Sequence, residues 1–296
     1  MKIGLIIPSY KQSKYVFNIL DGISKQSIKP DCIYFVIDRP EDDKGPLDHN
    51  GNPLESFDAI DYIYRNVDKF PNLNVKVLQF DAPKTTVRTD SPYFFAGIAR
   101  NVGVREAIND NCDLFVFIDG DCIPQPKLIE SHRMNCNNTL PILSVGKRLE
   151  QQYRWSDKRE VELPQLDLFN TKGTLINNPE LLKKSLVVWS CNIALNRSAV
   201  NRLMKFNNIY YNKEEVFASL FDGEWGGEDS FLGIEAWYCR IFINTIGIKG
   251  AGVTHTHHPR PSHSHSINHK KYFDDQIEIL RKKVVVNPLR LTFFNS

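Results

Sequence analysis

One stretch limits what this chain can fold into more than any other: Asp113-Leu-Phe-Val-Phe-Ile-Asp119-Gly120-Asp121. Its five consecutive apolar residues, bounded by acids, read as a strand buried on both faces. Such strands sit at the centre of a parallel sheet covered by helices. Side chains alternate along a strand, so Asp119 and Asp121, at i and i+2, leave its carboxyl end on one side. Two like charges held that close call for a cation. Oxygen ligands favour a hard divalent ion, Mg²⁺ or Mn²⁺, which commonly brings phosphate with it. The alternative is a solvated turn in which both acids cap the following helix.

The flanking sequence supplies the rest of such a sheet. Lys2 to Ile7 is an apolar strand broken by Pro8-Ser-Tyr10, and Val16, Ile19, Leu20 and Ile23 recur with helical spacing after Ser13. Cys32 to Ile37 is a second apolar run and also ends in an acid, Asp38. Strand, helix, strand in this order is the pattern of a parallel sheet with crossover helices. A loop over 40–56, a helix over 57–67, a strand over 73–80 and a helix over 94–109 follow, the last with Ile98, Ala99, Val102 and Ala107 as its inner face. Pro124 and Pro126 mark the start of a helix through Leu128, Ile129 and His132. Residues 146–185 lose periodicity and are expected to form a mobile excursion over one face of the domain, of the kind that often grips a substrate. Arg148, Arg154, Trp155 and Arg159 there could meet an anionic group; a solvated charged loop is the alternative. Leu186 to Leu195 reads as a strand.

Composition narrows the function classes. With 296 residues, 42% hydrophobic and 24% charged, the chain has the make-up of a globular α/β domain, and a net charge of +2 gives no electrostatic case for nucleic-acid binding. No segment reaches the length of a membrane span, and the amino-terminal apolar run is too short for a signal peptide. The six scattered cysteines, without a C-x-x-C pair, are expected to be free thiols in a reducing compartment. A dinucleotide fingerprint would place G-x-G-x-x-G after the first strand, where Pro8-Ser-Tyr-Lys-Gln-Ser stands instead.

Two further clusters carry chemistry. Phe221-Asp-Gly-Glu-Trp225-Gly226-Gly227-Glu228-Asp229 sets four carboxylates, paired glycines and a tryptophan ahead of a helix. Glycines let the backbone approach a ligand, and an aromatic face can stack on a sugar. Read as structure only, Asp229 is an N-cap with a solvated neighbour. His255-Thr-His257-His258-Pro259, with His263, His265 and His269, gathers six of the eight histidines. No cysteine accompanies them, so a zinc site is poorly supported. An imidazole completing a cation site at Asp121 and a solvated tail are the two readings left.

Taken together, these stretches resemble the GT-A glycosyltransferases: family 2-like enzymes with the W-G-G-E-D motif of the galactosyltransferase-type group. Ile6-Ile-Pro8-Ser-Tyr10 resembles the strand and turn that cradle the nucleotide base, and Asp38 the acid that contacts it, although Asp38-Arg-Pro-Glu departs from the usual Asp-Asp-Gly-Ser. Ala99-Arg100-Asn101-Val-Gly103 is similar to the A-R-N-x-G segment against the nucleotide sugar, Asp119-Gly120-Asp121 to the D-x-D motif, and Trp189-Ser-Cys-Asn192 with Arg197 to the segment before the acceptor loop. Trp225-Gly-Gly-Glu-Asp229 matches the acceptor and base motif, and His255-x-x-His258-Pro259 the pattern whose first histidine completes the metal shell.

The resemblance implies one GT-A domain, a mostly parallel central sheet flanked by helices over 1–250, with 251–296 packing on it and bringing a metal-ligand histidine. It implies an inverting transfer of a hexose or N-acetylhexosamine from a UDP-sugar to a glycan or other hydroxyl acceptor. The ion, Mn²⁺ or Mg²⁺, is held by Asp119, Asp121 and His255. Donor contacts fall to Pro8, Tyr10, Asp38, Arg100, Asn101, Asp119 and Gly120, acceptor contacts to Trp225, Gly226, Gly227 and Glu228, and the general base to Asp229. The alternatives are a retaining transferase of the W-G-G-E-N-like group and an inactive sugar-binding module. The expected setting is a bacterial or viral-host cytosol, with no nucleic-acid partner and no integral membrane segment.

Overall fold

The structure, a computed structural model, describes residues 1–46, 57–80, 95–137, 139–150, 160–161, 188, 190–218, 228–256, 275–280 and 282–283. The chain opens with β1 (Ile3–Ser9), α1 (Val16–Ser24), β2 (Cys32–Asp38), α2 (Ala59–Val67), β3 (Val75–Phe80), α3 (Ala96–Asn109) and β4 (Leu114–Ile118). It continues with β5 (Cys122–Pro124), α4 (Leu128–Asn135), β6 (Ile142–Val145), β7 (Arg148–Glu150), β8 (Glu160–Val161) and β9 (Asn192–Asn196). The helices α5 (Arg197–Tyr211) and α6 (Glu228–Tyr238) follow, then β10 (Phe242–Thr245) and β11 (Val253–His255). The α/β class and the central sheet flanked by helices are as the sequence implies.

A seven-stranded sheet runs β10-β6-β9-β4-β1-β2-β3. Its β1, β2, β3 and β4 pair in parallel, and β9 runs antiparallel between β4 and β6. All five residues of β4 are buried. Phe115 and Phe117 face one core with α3, α5 and α6, while Leu114, Val116 and Ile118 face the other with α1, α2 and α4. Strand alternation thus feeds both cores from one strand, which is why the run is uninterrupted by polar residues. A second sheet, β5-β11-β7-β8, closes over the carboxyl end of β4, with β11 antiparallel to β5 and parallel to β7.

The helix α3 departs from its expected inner face. Ala99, Gly103, Val104 and Ala107 are buried, whereas Ile98 and Val102 are only partly so, and the polar Arg100 and Asn101 are buried instead. The cause is close approach: a Cβ on Gly103 would stand 2.5 Å from Ile6 Cγ2. Small residues bring the helix down onto β1 and β2, which turns Arg100 and Asn101 toward the sheet edge where β4 ends. The short strands β5, β7 and β8 are not evident from periodicity, because runs of two or three residues carry none. Most of 146–185 lies outside the described residues. All six cysteines are free and buried, consistent with their reading as thiols.

Candidate active site at the carboxyl edge of the sheet

The chain passes from β1 to β2 on one side and later returns to β4 on the other, so strand order reverses between β1 and β4. Loops leaving the carboxyl ends of such strands diverge and open a crevice between them, the usual ligand position in open α/β sheets. Pro8, Ser9 and Tyr10 leave β1 here, and Asp119, Gly120 and Asp121 leave β4. The two turns pack tightly: a Cβ on Gly120 would come 2.9 Å from the Pro8 carbonyl oxygen and 2.6 Å from Gln12 Oε1. Glycine at 120 is therefore required by the neighbour, whatever else it contacts.

Asp121 is buried, and its Oδ2 accepts from Gln12 Nε2 at 2.8 Å and lies 3.4 Å from His255 Nε2. The contact follows from sheet pairing, since β11 sets His255 opposite Cys122 on β5 and the Thr256 N–H donates to the Asp121 carbonyl at 2.9 Å. Two cis ligands on an octahedral ion with arms of about 2.1 Å stand roughly 3 Å apart. The Asp121–His255 pair is within a few tenths of an ångström of that spacing, and the carboxylate is the kind of ligand that Mn²⁺ and Mg²⁺ take. Asp119 is turned elsewhere: its Oδ1 accepts from Arg100 at 2.7 Å, and its side chain remains 27% exposed.

Arg100 is the centre of the arrangement. It is buried, and its two terminal nitrogens split between Asp119 and Glu228 Oε1, the latter at 3.0 Å. Helix α3, the turn after β4 and the start of α6 are thereby joined through one guanidinium. Burial raises the Asp119 carboxyl; Arg100 opposes this, and the charge of Asp121 adds to it. Asn101, next to Arg100, is also buried. Its Nδ2 donates to the Phe217 carbonyl at 2.7 Å, and its Oδ1 accepts from the N–H groups of Val216 and Phe217 at 3.0 and 2.9 Å. Three of its hydrogen bonds hold the 216–217 backbone.

Asp229, in the first turn of α6, accepts from the Ser230 N–H at 2.7 Å and from the Ser190 N–H at 3.4 Å. Burial pushes its carboxyl up to about 7, the Glu228 charge contributes in the same direction, and Arg100 partly counters both. A carboxyl poised near neutrality beside a crevice has the properties of a general base. Trp225, Gly226, Gly227, His257 and His258 lie outside the described residues, as does Trp189.

On the far side of the crevice, Asp38 is buried at the end of β2, and both its oxygens accept from Arg39, at 3.0 Å each. The Arg39 guanidinium lies 4.4 Å from the centre of the Tyr10 ring and 5.5 Å from that of Phe95. Tyr10 OH donates to Asp42 at 3.0 Å. Burial raises Asp38, against the pull of Arg39. The departure from Asp-Asp-Gly-Ser thus has a structural counterpart: Asp38 shares its oxygens with Arg39, and a flat ligand here would meet a cation stacked between two rings. Arg39 was not singled out from sequence, although a cation next to a strand-ending acid is a readable signal. Gln12 and Ser190 have no such signal, because only the fold brings them to Asp121 and Asp229.

Among solved structures, this chain is similar to TarS of S. aureus. Against residues 1–349 of TarS in complex with UDP-GlcNAc the identity is 19% and the TM-score 0.53, covering 90% of this chain and 61% of that one. The fold is GT-A. A second TarS structure gives 19% identity and a TM-score of 0.50, covering 87% of this chain and 37% of that one, so the present chain spans less than two thirds of either. No protein-family model matches the chain. No curated protein sequence matches it either. In this fold the acids leaving β4 lie at the reversal between β1 and β4, where Asp121 meets His255 and Arg100 joins Asp119 to Glu228, next to Asp229.

Proposed function

We propose that this chain is an inverting, metal-dependent glycosyltransferase that moves a hexose or N-acetylhexosamine from a UDP-sugar to a hydroxyl of a glycan or other acceptor. The observation that carries this reading is Arg100, which ties Asp119 of the D-x-D turn to Glu228 of the W-G-G-E-D segment. Motifs more than a hundred residues apart meet around one cation, as a single site requires.

The residues divide the work. Pro8, Tyr10 and Asp38, with Arg39, form the side that takes the nucleotide base, the guanidinium offering a flat cationic surface. Asp121, His255 and Asp119 would hold Mn²⁺ or Mg²⁺, which supplies charge stabilisation to a departing diphosphate. Gly120 keeps the turn low enough for close approach of the donor. Arg100 orients Asp119 and Glu228, and Asn101 fixes the 216–217 strand of chain behind them. Glu228, with Trp225, Gly226 and Gly227, binds the acceptor, and Asp229 removes the proton from its hydroxyl as it attacks. A single displacement from the face opposite the leaving group inverts the anomeric centre.

The experiment is a screen of UDP-sugars, UDP-GlcNAc first because TarS is seen with it, for UDP release with Mn²⁺ and with EDTA. Release that depends on the metal, and a product of inverted anomer by NMR, is the expected result. Binding of UDP-sugars without release, to water or to any glycan offered, would leave a binding module instead.

A further inference from the structure

The turn after β4 presents a second donor set beside the oxygen and imidazole ligands. Ile118 on β4 stands opposite Asn192 on β9, which brings Cys191 up to Asp119 one step beyond the pairing. The Cys122 N–H donates to the Asp119 carbonyl at 3.0 Å, folding Cys122 back under the same turn. One carboxylate oxygen of Asp119 and the Sγ atoms of Cys122 and Cys191 all lie within 4.8 Å of one another. Asp121 faces both sets, its Oδ2 toward His255 and Gln12 and its Oδ1 3.4 Å from Cys122 Sγ.

That last spacing is informative. Arms of about 2.3 Å to sulfur and 2.0 Å to oxygen, opened to the tetrahedral angle, put the two donors roughly 3.5 Å apart. Two sulfurs and a carboxylate oxygen, with Asp121 Oδ1 beside Cys122, form a set that borderline and soft ions prefer, whereas Mg²⁺ and Mn²⁺ favour oxygen donors. The partial exposure of Asp119 leaves a way in from the crevice.

We propose that Cys122, Cys191, Asp119 and the Oδ1 side of Asp121 form a second metal site, selective for a thiophilic divalent ion such as Zn²⁺, whose filling excludes the ion of the neighbouring site. The exclusion follows because both sites draw on Asp119 and Asp121 and two dications there would repel. Each thiol releases its proton to solvent as the metal binds. The inhibitory consequence rests on the glycosyltransferase reading; metal binding does not.

The test uses the full chain freed of metal and titrated with Co²⁺. A thiolate-to-cobalt charge-transfer band in the near ultraviolet, displaced by Zn²⁺, is expected. The band should be lost in Cys122→Ser/Cys191→Ser and retained in His255→Ala. Zinc affinity in the double variant should fall by more than the roughly 10–100-fold that loss of an outer-shell partner costs. X-ray absorption on the zinc-loaded wild type needs no variant and should show two sulfur neighbours. No thiolate band, a band that survives the double replacement, or a shell of nitrogen and oxygen alone would overturn the site. Zn²⁺ should also suppress Mn²⁺-supported UDP release in the wild type and much less in the double variant. If no donor supports UDP release, the enzymatic reading fails while cobalt and X-ray absorption still decide the metal site.

Discussion

Asp229 keeps its proton up to about pH 7 because it is buried beside Glu228, and this sets two opposed consequences at one residue. In the proposed role of base it works only when ionised, so kcat/KM should rise with pH through an acidic limb centred near 7, measurable by UDP release between pH 5 and 9. As a structural group it is a burden. Its folded pKa lies above the ordinary 3.8, so the folded chain holds a proton the unfolded chain has lost, and stability falls as pH rises from 3.8 to about 7. The difference corresponds to about 4 kcal/mol at most. Asp229→Asn copies the protonated form. It should abolish transfer, a loss of about 10²–10⁴-fold or more, while raising the melting temperature of the metal-free protein at pH 8 and leaving Mn²⁺-dependent UDP binding nearly unchanged. A drop in both transfer and UDP binding would make Asp229 a structural carboxyl of the first turn of α6 and not a base. The acid itself was legible in the sequence from W-G-G-E-D; its elevated pKa was not, because burial is a property of the packed neighbours.

At the level of elements, the site is held by polar contacts that cross between helices and strands. Arg100→Ala would leave Asp119 and Glu228 without their shared cation and detach α3 from the turn after β4 and from α6. The expected cost is about 3 kcal/mol or more, read from urea midpoints. Behind the site, His132 on α4 is fully buried, with Nδ1 2.9 Å from Ser144 Oγ on β6 and Nε2 2.8 Å from Asn192 Oδ1 on β9. Asn192 Nδ2 already donates to the Lys147 and Ala251 carbonyls, so its oxygen accepts and His132 carries its proton on Nε2. Burial lowers the imidazole from 6.5 to about 4. The folded state refuses a proton that the unfolded state takes, so stability is complete above pH 6.5 and is lost as pH falls through about 4. The loss amounts to about 3 kcal/mol. Urea midpoints measured from pH 7 to 4 should fall in the wild type, and His132→Gln should lose that part of the slope whatever its overall stability.

Over the whole molecule, the carboxyl edge of the main sheet is completed by chain that arrives last. β11 pairs with both β5 and β7, and Leu280 is buried in the core shared by α5 and α6. A chain ending at Gly250 should therefore lose both Mn²⁺-dependent UDP binding and cooperative melting at the full-length temperature, whereas His255→Ala in the full chain should weaken metal binding with little change in melting temperature. Calorimetry of the two separates ligand from scaffold. The sequence by itself determined the central strand, the alternation of strands and helices that leads up to it and the acids at its end, because apolar runs and their spacing are local properties of the chain; it put a strand over 186–195 where β9 covers only Asn192–Asn196. It could not show β5, β7 and β8, which are too short to have a period, nor the burial of Arg100 and Asn101, which follows from Gly103 lying against Ile6. Only the tertiary structure decided that Asp121 faces His255 with one oxygen and Cys122 with the other. That division depends on pairing between segments more than a hundred residues apart, and no local rule encodes it.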